Sequence, residues 1–340
     1  MTLRPFHVGP NYVAQSYLGG GASARFRGID PQLADSPEDW ICSTAERFAQ
    51  PGVGLSVLAS GQTLRDALKD QTSEYLDPLH VQHFGCDMGV LVKLLDASER
   101  LVVHSHPSRE FAQSHLACRN GEAEGWIILD AKPEAYVYLG FNREVGQEEM
   151  QGWIESQDVS AMLGALNKIP VHAGQSFLVP AGTPHAIGSG ILVLEIQEPT
   201  DFSIMLEQGR FSNGDLGLGW NLALSSIDGR TLSEHEVKEL IVENLVGVGS
   251  LFPTAANPYF RAELIRGESP TEVVGIGVLV VVRGHGELRG NFPGSPVVVS
   301  KGETLLVPFS AGTIQVGGDV DLVWCRPPSI EASSELGDVH

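Results

Sequence analysis

The sequence predicts a mainly β fold built of two related barrels. Composition is the first reason. In 340 residues, 39 glycines and 20 prolines punctuate many short Val, Leu and Ile runs, a pattern of strands and turns rather than of a helical bundle. An internal echo is the second. Gly174-Gln175-Ser176-Phe177-Leu178-Val179-Pro180 and Gly302-Glu303-Thr304-Leu305-Leu306-Val307-Pro308 share one layout: a turn glycine, five strand residues and a terminating proline. The third is a set of ligand-type side chains beside apolar runs. His104-Ser105-His106 follows Leu101-Val102-Val103, Glu124 precedes Trp126-Ile127-Ile128-Leu129, and His185 follows the first echoed phrase. The second copy has no histidine at the matching place, where Gln315 and Val316 lie.

In chain order, residues 1–85 read as an irregular N-terminal segment packing on the first barrel. Glu38 to Ser43 reads as a short strand, and Thr63 caps a helix whose Leu64, Ala67 and Leu68 share one face. Residues 86–206 form the first barrel. Leu91 to Leu95 and Leu101 to His106 are its first strands, joined by a turn at Asp96-Ala97-Ser98-Glu99. Trp126 to Leu129 and Tyr136 to Phe141 are expected to pair as a hairpin. Residues 146–168 break the alternation with helical character and form a small insertion. Gln175 to Val179 and Ile191 to Gln197 are strands again, separated by a loop that carries His185. Residues 207–258 are a connector in which Ser233 and Glu236 have capping-box spacing. Residues 259–328 form the second, metal-free barrel, and 329–340 an acidic, disordered tail.

The ligand-type residues point to one chemistry. Residues i and i+2 of a strand face the same way, so His104 and His106 can present two imidazoles to one point. With Glu124 and His185 they make a borderline-soft donor set suited to Zn²⁺, with Mn²⁺, Fe²⁺ or Co²⁺ also accommodated. The formal charge of −20 argues against nucleic acid and anionic membranes as partners, and leaves any anionic ligand dependent on a local pocket. The four cysteines, Cys42, Cys86, Cys118 and Cys325, show no CxxC spacing and read as free thiols. Met1 to Phe6 lacks the apolar run of an export signal, so a cytoplasmic protein is expected.

These residues carry a family resemblance. His104-x-His106, Glu124 and Gly174-x5-Pro180-x-Gly182-x2-His185 resemble the two motifs of the cupin superfamily. Leu91 to Ala97, His106-Pro107, Val179 to Gly188 and Glu195-Ile196-Gln197 resemble type I phosphomannose isomerase across residues 1–328. The resemblance implies a double-cupin fold with a helical insertion, one zinc ion, and interconversion of mannose 6-phosphate and fructose 6-phosphate through a cis-enediol. The chain departs from the family pattern at three places. His104 stands where the family has glutamine, Glu122 where it has lysine, and Met205 where it has arginine.

The expected site follows from both readings. His104, His106, Glu124 and His185 hold the metal. Glu122 is the candidate base, with Lys93 a second catalytic group and Asp201 behind it. Glu195, Gln197, Asp201 and Arg210 line the substrate pocket, Arg210 or Arg143 replacing the missing cation. An isomerase of an unphosphorylated sugar, a non-catalytic sugar-binding cupin and an iron oxygenase stay open as alternatives.

Overall fold

The computed structural model describes residues 2–30, 36–208, 214–243, 249–268 and 271–335. Among these, two sheets close the first barrel. One runs Ile241–Val242, Ser176–Val179, Glu124–Ala131, Ile191–Gln197, Leu91–Ala97, Glu38–Ile41, Tyr12–Val13. The other runs Ile204–Met205, His104–Ser105, His185–Ile187, Tyr136–Phe141, Leu166–Pro170. The second barrel is built around the long strand Gly277–Gly290, which pairs with Thr304–Val307 and Val320–Arg326 and then, beyond an irregularity at Val281/Arg283, with Val297–Ser300 and Ile314–Gly317.

Side-chain alternation decides what faces what. In Ile191–Gln197, Ile191 and Val193 pack inside the first barrel, whereas Leu194 and Ile196 join a core shared with Phe252, Phe260, Val278, Val280 and Leu306 of the second. Leu91–Ala97 and Glu124–Ala131 obey the same rule, with Val92, Leu94 and Ile127 in the shared core. The two barrels are therefore joined sheet against sheet by hydrocarbon. Gly125 is required there: a Cβ at that position would sit 2.6 Å from the Phe252 ring and 2.8 Å from Phe260.

Several sequence expectations meet a different structure. Glu124–Ala131 and Tyr136–Phe141 do not pair; they lie in opposite sheets of the barrel, as do Leu91–Ala97 and His104–Ser105. Chain-neighbouring strands here cross between sheets, which local turn signals cannot distinguish from a hairpin. The strand expected over Leu101 to His106 is regular only at His104–Ser105. His185 opens a strand, His185–Ile187, rather than riding on a loop. Phe6–His7 pairs with Leu305 and Leu306 of the second barrel, so the N-terminal segment ties both barrels together. Ile330–Glu335 is helical, contrary to the disorder expected of the tail; residues 336–340 lie outside the described residues.

Other elements stand where the sequence placed them. Leu64–Asp70 is capped by Thr63, whose hydroxyl accepts from the Asp66 amide. Gln147–Ser156 and Val159–Gly164 are the helices within residues 146–168. Ser233 and Glu236 form a capping box that opens Glu234–Glu239.

Candidate metal centre and cavity

Strand register assembles the centre. His104 and His185 are directly opposite one another on adjacent strands, and Glu124 lies on the facing sheet opposite Val179 and Gln197. Past the short strand, the chain at His106 is held by the Gly182 amide, which donates to the His106 carbonyl at 2.7 Å. Gly182 does this at φ +83°, a left-handed conformation that a side chain would strain. That is the physical content of the Pro-x-Gly spacing before His185.

The three imidazoles are oriented alike. His104 Nδ1 lies 2.8 Å from the Val102 carbonyl, His106 Nδ1 2.8 Å from that of Phe202, and His185 Nδ1 2.8 Å from that of Thr183. A carbonyl can only accept, so each Nδ1 carries the hydrogen and each neutral Nε2 turns a lone pair inward. His104 Nε2 and His185 Nε2 are then 3.0 Å apart with lone pairs facing. His106 Nε2 is buried without a hydrogen-bond partner, 3.0 Å from Glu124 Oε1, and His185 Nε2 is 3.5 Å from Glu124 Oε2. Three converging lone pairs and a carboxylate repel one another unless a cation lies between them. The donor set fits a divalent metal, and the carbonyl-anchored imidazoles are the arrangement that fixes ligating histidines.

Electrostatics say the same. Burial and the neighbouring imidazoles hold His104 well below the ordinary histidine range. Burial lowers His185 to about 4. Burial would also lower His106, but Glu124 and Glu122 outweigh it and push that ring up to about 10. That upward pull measures how strongly the two carboxylates favour a positive charge at this spot.

The centre opens into a cavity of about 280 Å³, a volume suited to one small sugar. One row of side chains crosses its sheet wall in strict register: Trp40, Lys93, Glu195, Trp126, Phe177. Lys93 Nζ is 3.2 Å from Glu195 and 4.0 Å from Glu38, with the Trp40 ring 5.1 Å away. Burial alone would lower the Lys93 ammonium, but Glu195 and Glu38 overcome it and keep the lysine charged. Burial, reinforced by the Glu124 charge, pushes the Glu195 carboxyl up to about 8 against the pull of Lys93.

The remaining expectations divide. Glu195, Lys93 and Asp201 line the cavity, and Asp201 accepts from the Phe48 amide at 2.9 Å. Glu122 does not stand free as a base. Its Oε1 accepts from Gln197 Nε2 at 2.9 Å and lies 3.3 Å from His106 Nδ1, while its Oε2 accepts from the Phe202 amide and from Thr200 Oγ1 at 3.2 Å. It is a buried brace beneath His106. Gln197 is likewise a correction: fully buried and absent from the cavity wall, it bridges Glu122 and the Thr200 carbonyl. Arg143 is exposed, paired with Glu149, and lines no part of the cavity. Arg210 lies outside the described residues.

Sequence reasoning missed the N-terminal contribution. Glu38, which accepts from Tyr17, Gln15 and Trp40 Nε1, forms part of the wall, and so does Arg47. Glu38 shares a strand face with Trp40, a polar residue at i+2 spacing that could have flagged it. Nothing local marks Arg47.

No family model matches the chain. Relatives do. It is 27% identical over 332 residues to the mannose-6-phosphate isomerase ManA of Bacillus subtilis, covering 95% of this chain and 99% of that one. To the mannose-6-phosphate isomerase of Streptococcus mutans it is 29% identical over 318 residues, 90% and 93% of the two chains. Along nearly its whole length the chain is similar to mannose-6-phosphate isomerases. Its double-cupin fold is shared with a solved mannose 6-phosphate isomerase bound with zinc and yttrium, at a TM-score of 0.73, 15% identity and coverage of 96% of this chain and 100% of that one. That solved structure holds zinc, and in the present chain His104, His106 and His185, with Glu124 beside His106, are grouped closely enough to hold a divalent metal. No helix among the described residues is long and apolar enough to cross a membrane.

Proposed function

We propose that this protein is a zinc-dependent isomerase that interconverts mannose 6-phosphate and fructose 6-phosphate through a cis-enediol. The observation that carries the reading is the cluster of His104, His106 and His185, with Glu124 within 3.5 Å of the His106 and His185 Nε2 atoms, on the lining of a sugar-sized cavity whose wall bears the Glu195–Lys93 pair. The near-complete matches to two named isomerases support the activity. The zinc in a solved relative and the nitrogen-rich donor set support the ion.

His104, His106, Glu124 and His185 would hold the metal, which when bound supplies Lewis acidity to the sugar carbonyl and its neighbouring hydroxyl. The protein's own part is proton transfer. Glu195 takes a proton from C2 of the aldose and returns it to C1, a task suited to a carboxyl raised toward neutrality by burial. Lys93, held beside it at 3.2 Å, offers its ammonium hydrogens to the oxygen on which negative charge develops. Glu122 holds His106 and the turn at Thr200–Phe202 in place. Trp40 and Trp126 keep the wall on both sides of the ion pair apolar and dry.

A second reading has one observation in its favour. Five carboxylates line the cavity, Glu38, Glu122, Glu124, Glu195 and Asp201, against two cations, Lys93 and Arg47. Such a wall suits an unphosphorylated sugar. A coupled assay on zinc-loaded protein, with mannose 6-phosphate and mannose side by side, separates the two. Turnover of the phosphorylated sugar is expected; turnover of mannose alone would move the assignment to the second reading, and silence on both would remove the isomerase.

A further inference from the structure

The charge inventory of the cavity leaves a dianionic substrate with one place to go. Lys93 is buried at the wall and engaged by Glu195 and Glu38. Glu122, Glu124 and Asp201 make the inner surface repulsive to a phosphoryl group. The remaining cation on the lining is Arg47, half-buried and next to the exposed Ala49 and Gln50, hence at the mouth.

Arg47 is held, yet has capacity to spare. Its Nη1 donates to the Ala14 carbonyl at 2.7 Å, and among the described residues no carboxylate pairs with it. That one bond anchors the guanidinium at Nη1 and leaves Nε and Nη2, the edge that binds an anion through two parallel hydrogen bonds. Ser16, two residues beyond Ala14, also lines the cavity. The loop is also registered to the metal centre. Phe48 donates its amide to Asp201 at 2.9 Å and its ring packs edge-on against Phe202 at 5.7 Å. The carbonyl of Phe202 is the group that orients His106. A rigid path of few residues therefore sets the span from Arg47 to the imidazole, as a ruler for a substrate held at both ends requires.

We propose that Arg47 is the specificity residue that receives the distal phosphoryl group of the sugar at the cavity mouth. The assignment rests on the isomerase reading above, with mannose 6-phosphate as substrate. The experiment compares wild type, Arg47→Ala and Arg47→Lys in two ways. In turnover, Arg47→Ala should raise KM for mannose 6-phosphate roughly 10–100-fold, the worth of charge-assisted hydrogen bonds to phosphate, with kcat within about twofold. Arg47→Lys should recover part of the loss, because it restores charge without the fork. Unchanged KM, or a fall in kcat instead, would overturn the assignment.

Calorimetric titration with glucitol 6-phosphate and with glucitol gives a readout that needs no turnover. Wild type should bind the phosphorylated polyol more tightly, and Arg47→Ala should erase the difference while keeping its metal content. Equal affinity for the two polyols in wild type, or a preference that survives in Arg47→Ala, would overturn the proposal. If no sugar is turned over but the preference is present and depends on Arg47, the activity falls and the anion subsite stands.

Discussion

The two barrels share one architecture and differ in what they enclose. Inside the second, Leu279, Val281, Leu288, Leu305, Val307, Ile314, Val316, Leu322 and Trp324 form a continuous hydrocarbon core. Inside the first, hydrocarbon fills one end and the other holds His104, His106, Glu122, Glu124, Lys93 and Glu195. Among the described residues every buried Asp, Glu, Lys and His side chain precedes residue 200, and the second barrel buries only Thr304 and the Cys325 thiol besides hydrocarbon and Trp324. Burying charges costs several kcal/mol per ion before pairing. One copy of the fold thus carries a cost in stability for a polar cavity, while the other, closed and apolar, is free to contribute stability through the shared core.

The largest expected break of that contrast is His185→Ala. Removing one of four donors should drop bound metal well below one ion per chain and abolish turnover, read by atomic emission and by the coupled assay. Full metal content in that variant would refute the placement of the centre. Its counterpart is Leu322→Ala, at a fully buried position of the second core. The cavity left should cost about 2–5 kcal/mol of unfolding free energy in denaturant titration. At 25 °C, kcat and metal stoichiometry should hold; a folded variant with lowered kcat would mean that the second barrel shapes the site directly.

Glu122→Gln sharpens the comparison within the first barrel. Phe202 N–H, Thr200 O–H and Gln197 NH₂ all donate to the carboxylate, so an amide supplies one acceptor and brings its own donors against theirs. The expected result is roughly 10–100-fold weaker metal binding, measured against a competing chelator, the usual cost of losing a group that orients a ligand. Loss of turnover with wild-type metal affinity would return Glu122 to the role of base that the sequence suggested.

What was legible in the sequence follows the range of the physics. The echo of Gly174 to Pro180 in Gly302 to Pro308, the capping box at Ser233 and the cap at Thr63 are local, and strands Ser176–Val179 and Thr304–Val307 stand where their apolar runs put them. His104, His106 and His185 meet because strand alternation and a left-handed glycine are also local devices. Strand partners were not legible. A turn between Glu124–Ala131 and Tyr136–Phe141 looks the same whether the chain folds back or crosses to the facing sheet. Roles set by long-range hydrogen bonds were hidden too. Glu122 reads as a free carboxylate until Gln197 and Phe202, about eighty residues away, are seen to occupy it.

The smallest expected effect tests the seam between the barrels. Gly125 lies between Glu124 and Trp126, so it borders the metal centre in sequence while its missing side chain faces the other way, toward Phe252 and Phe260. Gly125→Ala would place a methyl 2.6 Å from the Phe252 ring unless the two sheets move apart. Overpacking of this kind costs about 1–3 kcal/mol. If the first barrel's sheet yields, Glu124 shifts with it, and metal affinity falls together with stability. If the aromatic pair of the second barrel yields, stability alone falls. The expectation is the second outcome, because Glu124 and Gly125 are locked in register on both sides by Ser176–Val179 and Ile191–Gln197, whereas Phe252 lies outside regular strand. Denaturant titration and chelator competition on the same variant distinguish the two, and a matched fall in both would mean that the seam and the metal centre are mechanically one unit.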